Sequence, residues 1–292
     1  DNDFSNSNKN NTQTNNNQDT KHASLIKHIF NLSNKYKKTG FATVFASVFI
    51  FFAAGSLIYN KMQKHSTQIR SNLLIPNKSV LLTRNDLISD INKKFKSSKN
   101  NIKKIALIGD GGSGKTTLAR DYALNSNNKI TWEINAKNKY EILNSFEKLA
   151  FILAKNKQTQ DEMLFIQSIE DKELFKEKLL SFVQVQLKKS NNWLLIYDNL
   201  RYINDIIGYV PNDEKVWGKG KVIITTRNQN IADSRYIDSA SILEIKDLTR
   251  KQQMHLFSRI INPVDKKTTT AFLDKIPALP LDTITAAYYL KN

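Results

Sequence analysis

The chain has 292 residues, no cysteine and a formal net charge of +17 at pH 7. That length allows one domain of moderate size with additional segments, and the absence of thiols excludes disulfides, thiolate metal sites and cysteine nucleophiles. The four histidines, His22, His28, His65 and His255, leave almost no material for a zinc site or a histidine-based triad. The positive charge rests on 36 Lys against 8 Arg. Specific readers of bases and phosphates favour the arginine fork, and Lys, Asn and Ile are abundant together here, so the charge reads chiefly as solvated surface. Nucleic acid is not the expected partner. If the charge does meet an anion, an anionic membrane surface is the expected one.

Residues 1–38 form a polar and basic N-terminal segment. Its first part is built from Asn, Ser, Thr, Gln and Asp, with Phe4 the only large apolar residue before Leu25. Such a stretch cannot bury enough surface to offset its ordering entropy and is expected to be disordered. The chain begins on Asp, as expected of a processed product or of a piece of a longer reading frame. Residues 39–60 contain no charged side chain and are rich in Phe, Val, Ile and Leu. A helix of that length spans about 30 Å, the thickness of a bilayer's hydrocarbon core, and Tyr36 and Tyr59 stand where interfacial aromatics belong. The run is too long for the apolar core of a signal peptide, and no Ala-x-Ala-like cleavage site follows it. A single transmembrane helix is therefore expected, with Lys21, Lys27, Lys35, Lys37 and Lys38 before it and Lys61, Lys64, Arg70 and Lys78 after it, nearly a tie by the positive-inside rule.

Residues 61–79 read as a linker, punctuated by Pro76. Beyond it, Asp86–Phe95 has apolar residues at helical spacing, and strand-like runs occur at Ile105–Ile108, Ile130–Ile134, Trp193–Tyr197, Val222–Thr226 and Ser241–Ile245. Helical patterns fill Tyr140–Ala154, Lys172–Leu187 and Asp282–Leu290. Alternating apolar strands and helices predict an α/β fold: a parallel sheet covered by helices on both faces.

Four motifs lie on this frame. Gly109, Asp110, Gly111, Gly112, Ser113, Gly114, Lys115, Thr116 and Thr117 follow an apolar strand and open a helix, a complete G-x-x-x-x-G-K-T loop. Glycines let backbone N–H groups converge on a phosphate, and the helix turns its positive end toward the same anion. Lys115 can reach the β- and γ-phosphates, and Thr116 offers a hydroxyl to Mg²⁺. The strand Trp193–Tyr197 ends in Asp198, a carboxylate placed to hold Mg²⁺ beside the phosphates. Val222–Thr226 ends in Arg227, a cation positioned to report on a phosphate that comes and goes. Last comes the proline turn Ile276-Pro277-Ala278-Leu279-Pro280-Leu281, which opens a helix.

In this order, together with Thr83-Arg84-Asn85-Asp86-Leu87, Trp132 in its strand and Leu248-Thr249 before a helix, the motifs resemble the NB-ARC-type nucleotide-binding domain of the STAND class of P-loop NTPases. The resemblance covers residues 80–292. It implies a P-loop NTPase core at 80–247 and the start of a small helical subdomain at 248–292. It also implies ATP or ADP with Mg²⁺ as ligands, Arg84 in the segment flanking the base, Lys115 and Thr116 on phosphate and metal, and Asp198 as the Walker B acid. Arg227 is implied as the sensor arginine, and Pro280 as packing on the nucleotide. The chain departs from the family pattern in three ways. Asn199 stands where a second acid is frequent and cannot accept a proton as a carboxylate can, so slow or absent turnover is expected. Ala278 replaces a Gly, which should alter the turn. The winged-helix portion and C-terminal repeats expected of such proteins do not follow before Asn292.

The function expected is a membrane-anchored adenine-nucleotide switch, with its nucleotide domain in the cytoplasm because that is where ATP is. Partner recruitment or self-association would pass through segments beyond residue 292. The alternatives are an active membrane-tethered ATPase and, less favoured, a basic nucleic-acid binder with structural ATP.

Overall fold

A computed structural model describes residues 68–292 apart from 72, 77–79, 234–236 and 263–264. The polar N-terminal segment, the expected membrane span at 39–60 and residues 61–67 of the linker lie outside the described residues. Among the described residues no helix is long and apolar enough to cross a membrane. The described residues form one compact unit.

In chain order the elements are β1 (Ile69–Arg70), α1 (Asn85–Ser97), β2 (Ile102–Ile108), α2 (Lys115–Leu124), β3 (Ile130–Asn135), α3 (Lys139–Leu153), α4 (Lys157–Gln167) and α5 (Lys172–Ser190). There follow β4 (Trp193–Leu200), the short α6 (Ile203–Ile206) and α7 (Glu214–Trp217), β5 (Gly220–Thr226), β6 (Ile242–Glu244), α8 (Arg250–Ser258), α9 (Lys266–Leu273) and α10 (Pro280–Lys291). The strands make a six-stranded sheet in the order β1-β3-β4-β5-β2-β6, with every pairing parallel.

The strands read as continuous apolar runs because both faces are covered. On β4, Trp193, Leu195 and Tyr197 enter a core shared with α3 and α5. The intervening Leu194 and Ile196 enter the opposite core with α1 and α2. The helices start where polar side chains accept from free backbone N–H groups: Asn138 from Glu141 on α3, Asp171 from Leu174 on α5. Reciprocal capping boxes, Asn156 with Thr159 and Thr249 with Gln252, open α4 and α8. Helices α8, α9 and α10 close on a small apolar cluster of their own around Phe257, Ile260, Leu273 and Ala287.

Two details extend the sequence reading. Strand β4 runs past Tyr197 to Leu200, with a register shift against β5 in between, and Asn199 takes a left-handed φ of 62° there. Strand β1 lies in the segment expected as linker and pairs with β3, Ile69 opposite Ile130. The Arg70 guanidinium donates to the carbonyls of Leu124 (3.1 Å) and Ser126 (3.0 Å), at the end of α2. Cations there complement the helix's unsatisfied carbonyls. Arg120 on α2 forms a two-pronged pair with Glu133 on β3, both contacts 2.6 Å, and also donates to the Leu74 carbonyl at 2.9 Å. The segment before Pro76 is thus strapped to the helix that follows the glycine loop.

Gly220 pairs with Trp193, the largest residue of β4, and a Cβ at Gly220 would overlap the Trp193 indole. Trp193 is fully buried, with its N–H on the Trp217 carbonyl, so it has no room to retreat. Gly220→Ala should therefore destabilise the domain by about 1–3 kcal/mol, the usual penalty of overpacking a core, measured as a lowered urea midpoint.

Candidate functional site

The glycine loop joins the C-terminal end of β2 to α2, whose N-cap is Gly114. Two glycines are required by what lies on them. A Cβ at Gly111 would sit 2.8 Å from the Arg227 guanidinium carbon. Gly112 combines a φ of +85° with Leu281 only 3.0 Å from the position a Cβ would take. The loop is therefore covered from two sides, by Arg227 after β5 and by the first turn of α10.

Lys115 is buried at 9% exposure and donates from Nζ to the carbonyls of Gly109 (2.9 Å) and Asp110 (2.6 Å) and to Ser113 Oγ (3.4 Å). Burial, and after it the positive charge of Arg227, lower its pKa, while Asp110 and Asp198 oppose that shift. The two cations repel each other, and an anion bound at the loop would relieve that repulsion.

Asp198 receives two hydroxyls on one oxygen. Thr116 Oγ1 donates to Asp198 Oδ1 at 2.7 Å and Thr225 Oγ1 donates to the same atom at 2.6 Å. Strand β5 lies between β2 and β4 in the sheet, so Thr225 stands between the loop's strand and the strand carrying Asp198. Thr225 is buried and also accepts from the Asn199 N–H at 2.9 Å. One hydroxyl thereby fixes both the carboxylate and the bulge that follows it.

Pro280 is the first residue of α10, a position where its missing N–H costs nothing. The next residue, Leu281, donates its N–H to the Gly112 carbonyl at 3.3 Å, and Pro280 Cγ lies 3.8 Å from the position a Cβ would take at Gly114. Ala278, expected to alter the turn, has no left-handed φ and accepts from the Leu248 N–H at 2.7 Å. Nothing in that conformation demands glycine.

A cavity of about 480 Å³ opens over the loop, lined by Lys115, Thr116, Thr117, Asp198, Asn199 and Arg227 among others. A narrow one of about 70 Å³ adjoins it, walled by Val80, Leu87, Leu248 and Leu256 and by Arg84. The two share Pro76, Gly114, Thr117, Pro280 and Ile284. The first carries the groups phosphates need, Lys115, Thr116, Asp198 and Arg227, and the second is walled mainly by apolar side chains. Arg84 precedes α1 with its side chain 13% exposed, and its Nε lies 3.6 Å from Asp86 Oδ1 without a hydrogen bond. A larger cavity of about 1060 Å³ lies beside Ile102, at the opposite ends of the strands and away from every motif.

The residues singled out for the site thus line or flank two adjoining cavities: the loop from Gly109 to Thr117, Asp198, Arg227, Pro280 and Arg84. Five others were not assigned to the site. Pro76 was read as punctuation, Thr225 as part of a strand and Leu281 as part of the proline turn, while Arg120 and Glu133 carried no signal. Among the described residues no cluster of three or more acidic or histidine side chains could hold a metal alone. Thr116 and Asp198 offer the sparse oxygen set that suits Mg²⁺ shared with phosphates.

Thr225→Val keeps the shape and removes the donor to Asp198. It should weaken the Mg²⁺-dependent part of nucleotide binding roughly 10-fold, as loss of a group supporting a metal ligand does, and leave binding without Mg²⁺ nearly unchanged. Titrations with and without EDTA measure both.

The chain is similar to a number of solved structures, among them the following two. One is the STAND protein with a tetratricopeptide repeat sensor from Pyrococcus horikoshii, at 18% identity and a TM-score of 0.45, covering 70% of this chain and 29% of that one. The other is Cdc6p from Pyrobaculum aerophilum, at 14% identity and a TM-score of 0.44, covering 65% of this chain and 51% of that one. The chain therefore spans less than a third of the first and about half of the second. Among curated proteins a search finds no significant match. The NB-ARC domain family matches residues 84–267, a range that takes in the glycine loop, Asp198 and Arg227, and the chain belongs to that family of nucleotide-binding domains.

Proposed function

We propose that this chain is a membrane-anchored, STAND-type molecular switch that takes ADP or ATP, with residues 39–60 as its span and the nucleotide domain on the cytoplasmic side. The observation that carries the switch reading is the cover on the loop. Arg227 lies over Gly111, and α10 is tied to the Gly112 carbonyl through the Leu281 N–H. A group that gains or loses a phosphate next to these contacts changes the balance of charge at Arg227 and the fit under Pro280. The helices α8–α10, read as the start of a helical subdomain at 248–292, would carry that change to whatever partner or second copy the switch recruits. A ligand shifts such an equilibrium only through its different affinity for the two arrangements, which a γ-phosphate facing a cation supplies.

The base is proposed to be adenine on the strength of the family resemblance, and the apolar slot beside Arg84 and Leu248 would receive it. Mg²⁺ would be held by Thr116 and Asp198, where it would neutralise phosphate charge. Turnover is proposed to be slow. Asn199 lines the phosphate chamber in a left-handed conformation that Asn and Asp both tolerate, but its amide cannot take a proton from water. Binding energy would then serve to hold conformations rather than to drive a cycle.

Residues 68–292, purified and denatured, should release ADP, identified by chromatography. ADP and ATP–Mg²⁺ should raise the melting temperature and GTP should not, and Lys115→Ala should abolish the shift. Brisk hydrolysis by the unaltered protein would favour the ATPase reading instead. Asn199→Asp should raise the hydrolysis rate roughly 10²-fold, the lower range for an added general base, as measured by phosphate release.

A further inference from the structure

The strands are all parallel, so their N-terminal ends form one pole, opposite the glycine loop. Hydrogen bonds trace this pole from one strand to the next. The Ile69 N–H donates to the Lys129 carbonyl (2.9 Å) and the Lys129 N–H to the Asn192 carbonyl (3.0 Å). The Lys219 N–H donates to Asn191 Oδ1 (2.6 Å), and the Gly220 N–H to the Asn101 carbonyl (3.3 Å). Lysines crowd this edge. Lys96, Lys99, Lys129, Lys188, Lys189 and Lys219 are all exposed, and none forms an ion pair among the described residues. Of these Lys99 lines the cavity of about 1060 Å³ together with half-buried Lys94 and Lys104, and the acids of that cavity are Asp213, Glu214 and Asp238. Like charges gathered without partners oppose folding slightly and need a reason. Among the described residues the pole offers mainly ammonium groups; the guanidinium of Arg70, on the edge strand, is bonded to Leu124 and Ser126.

Strand β1 decides what meets this surface. Because Ile69–Arg70 runs parallel to β3, the chain enters the domain at the lysine pole. Residues 61–68 separate it from the apolar run ending at 60 and reach at most about 30 Å when fully extended. A membrane holding that run would lie within reach of the pole, at high effective concentration.

We propose that the lysine pole docks on an anionic lipid surface, the leaflet in which the chain's own span at 39–60 is anchored. The proposal rests on the membrane reading only for its tether. Contact would leave the glycine loop, at the other ends of the strands, turned toward water. Lysines suit this role, because each ammonium brought near anionic lipid adds roughly fivefold to binding without requiring a fixed geometry.

The compact unit 68–292 lacks the apolar run, so it tests the surface independently of the tether. Flotation would be measured with vesicles of phosphatidylcholine alone and with 30 mol per cent phosphatidylserine (about that fraction is enough for a strong surface potential). Binding should occur only to the anionic vesicles and disappear in about 0.5 M salt, where screening is short-ranged. Replacing the six exposed lysines by Gln should weaken binding at least 100-fold (about six such increments) with nucleotide binding retained. Replacing them by Arg should preserve it. Absence of binding to anionic vesicles, equal binding by the Gln variant, or binding of single-stranded RNA through the same lysines without any of lipid would each overturn the proposal. Resistance of the full chain to carbonate extraction from membranes reports separately on the span, so failure of either reading is distinguishable from failure of the other.

Discussion

Asp198 Oδ1 accepts hydrogen bonds from Thr116 and Thr225, and the geometry of the whole site is arranged around that shared oxygen. Thr116 belongs to the helix after the glycine loop, Asp198 to β4 and Thr225 to β5, so three segments distant in sequence are brought to one atom. Charge-assisted hydrogen bonds from two hydroxyls hold the carboxylate without neutralising it, leaving its remaining acceptor capacity toward the chamber. The same Thr225 hydroxyl accepts from the Asn199 N–H. The left-handed turn at position 199 and the carboxylate at 198 are therefore set together, and a change in one disturbs the other.

On the other side of the loop, backbone does the work. The Leu281 N–H on the Gly112 carbonyl joins the first turn of α10 to the phosphate loop through a group that no substitution at 281 other than proline removes. The first turn of a helix has N–H groups without intrahelical acceptors, so α10 loses nothing by giving one to the loop. Arg70 and Arg120 extend the connection away from the loop. Both act on α2, one at its C-terminal carbonyls and one through Glu133 and Leu74. The chain segment leading into the domain is thus mechanically continuous with the helix that carries Lys115 and Thr116.

Much of this was legible in the sequence. The central strands, buried on both faces, had to be unbroken apolar runs, and the glycine loop announced itself because its conformation admits few residues. Arg227 and Pro280 were found through a motif order, and the structure places both against the loop. What was not legible depends on distant partners. Strand β1 is only Ile69–Arg70, too short for any periodicity, and it exists because β3 offers an unpaired edge. Helix α4 carries Met163, Leu164, Phe165 and Ile166 in succession, which blurs a 3.6-residue pattern, and Leu164 and Phe165 are exposed at 64% each. Thr225 has an unremarkable place at the end of a strand, and its role follows only from an aspartate on the neighbouring strand. Ala278 looked like a defect in the turn and is none, because the backbone there stays out of the left-handed region.

The claim that nucleotide state is read through the cover on the loop is tested most directly by amide hydrogen exchange at Leu281 in residues 68–292, compared with ADP and with ATP–Mg²⁺ bound. The account predicts that the two exchange rates differ by roughly tenfold or more, because a shift of that size corresponds to about 1.4 kcal/mol between two arrangements, the scale on which one ligand couples to one contact. Equal protection in the two states, with both nucleotides demonstrably bound, would contradict it and leave a domain that binds nucleotide without reporting on it.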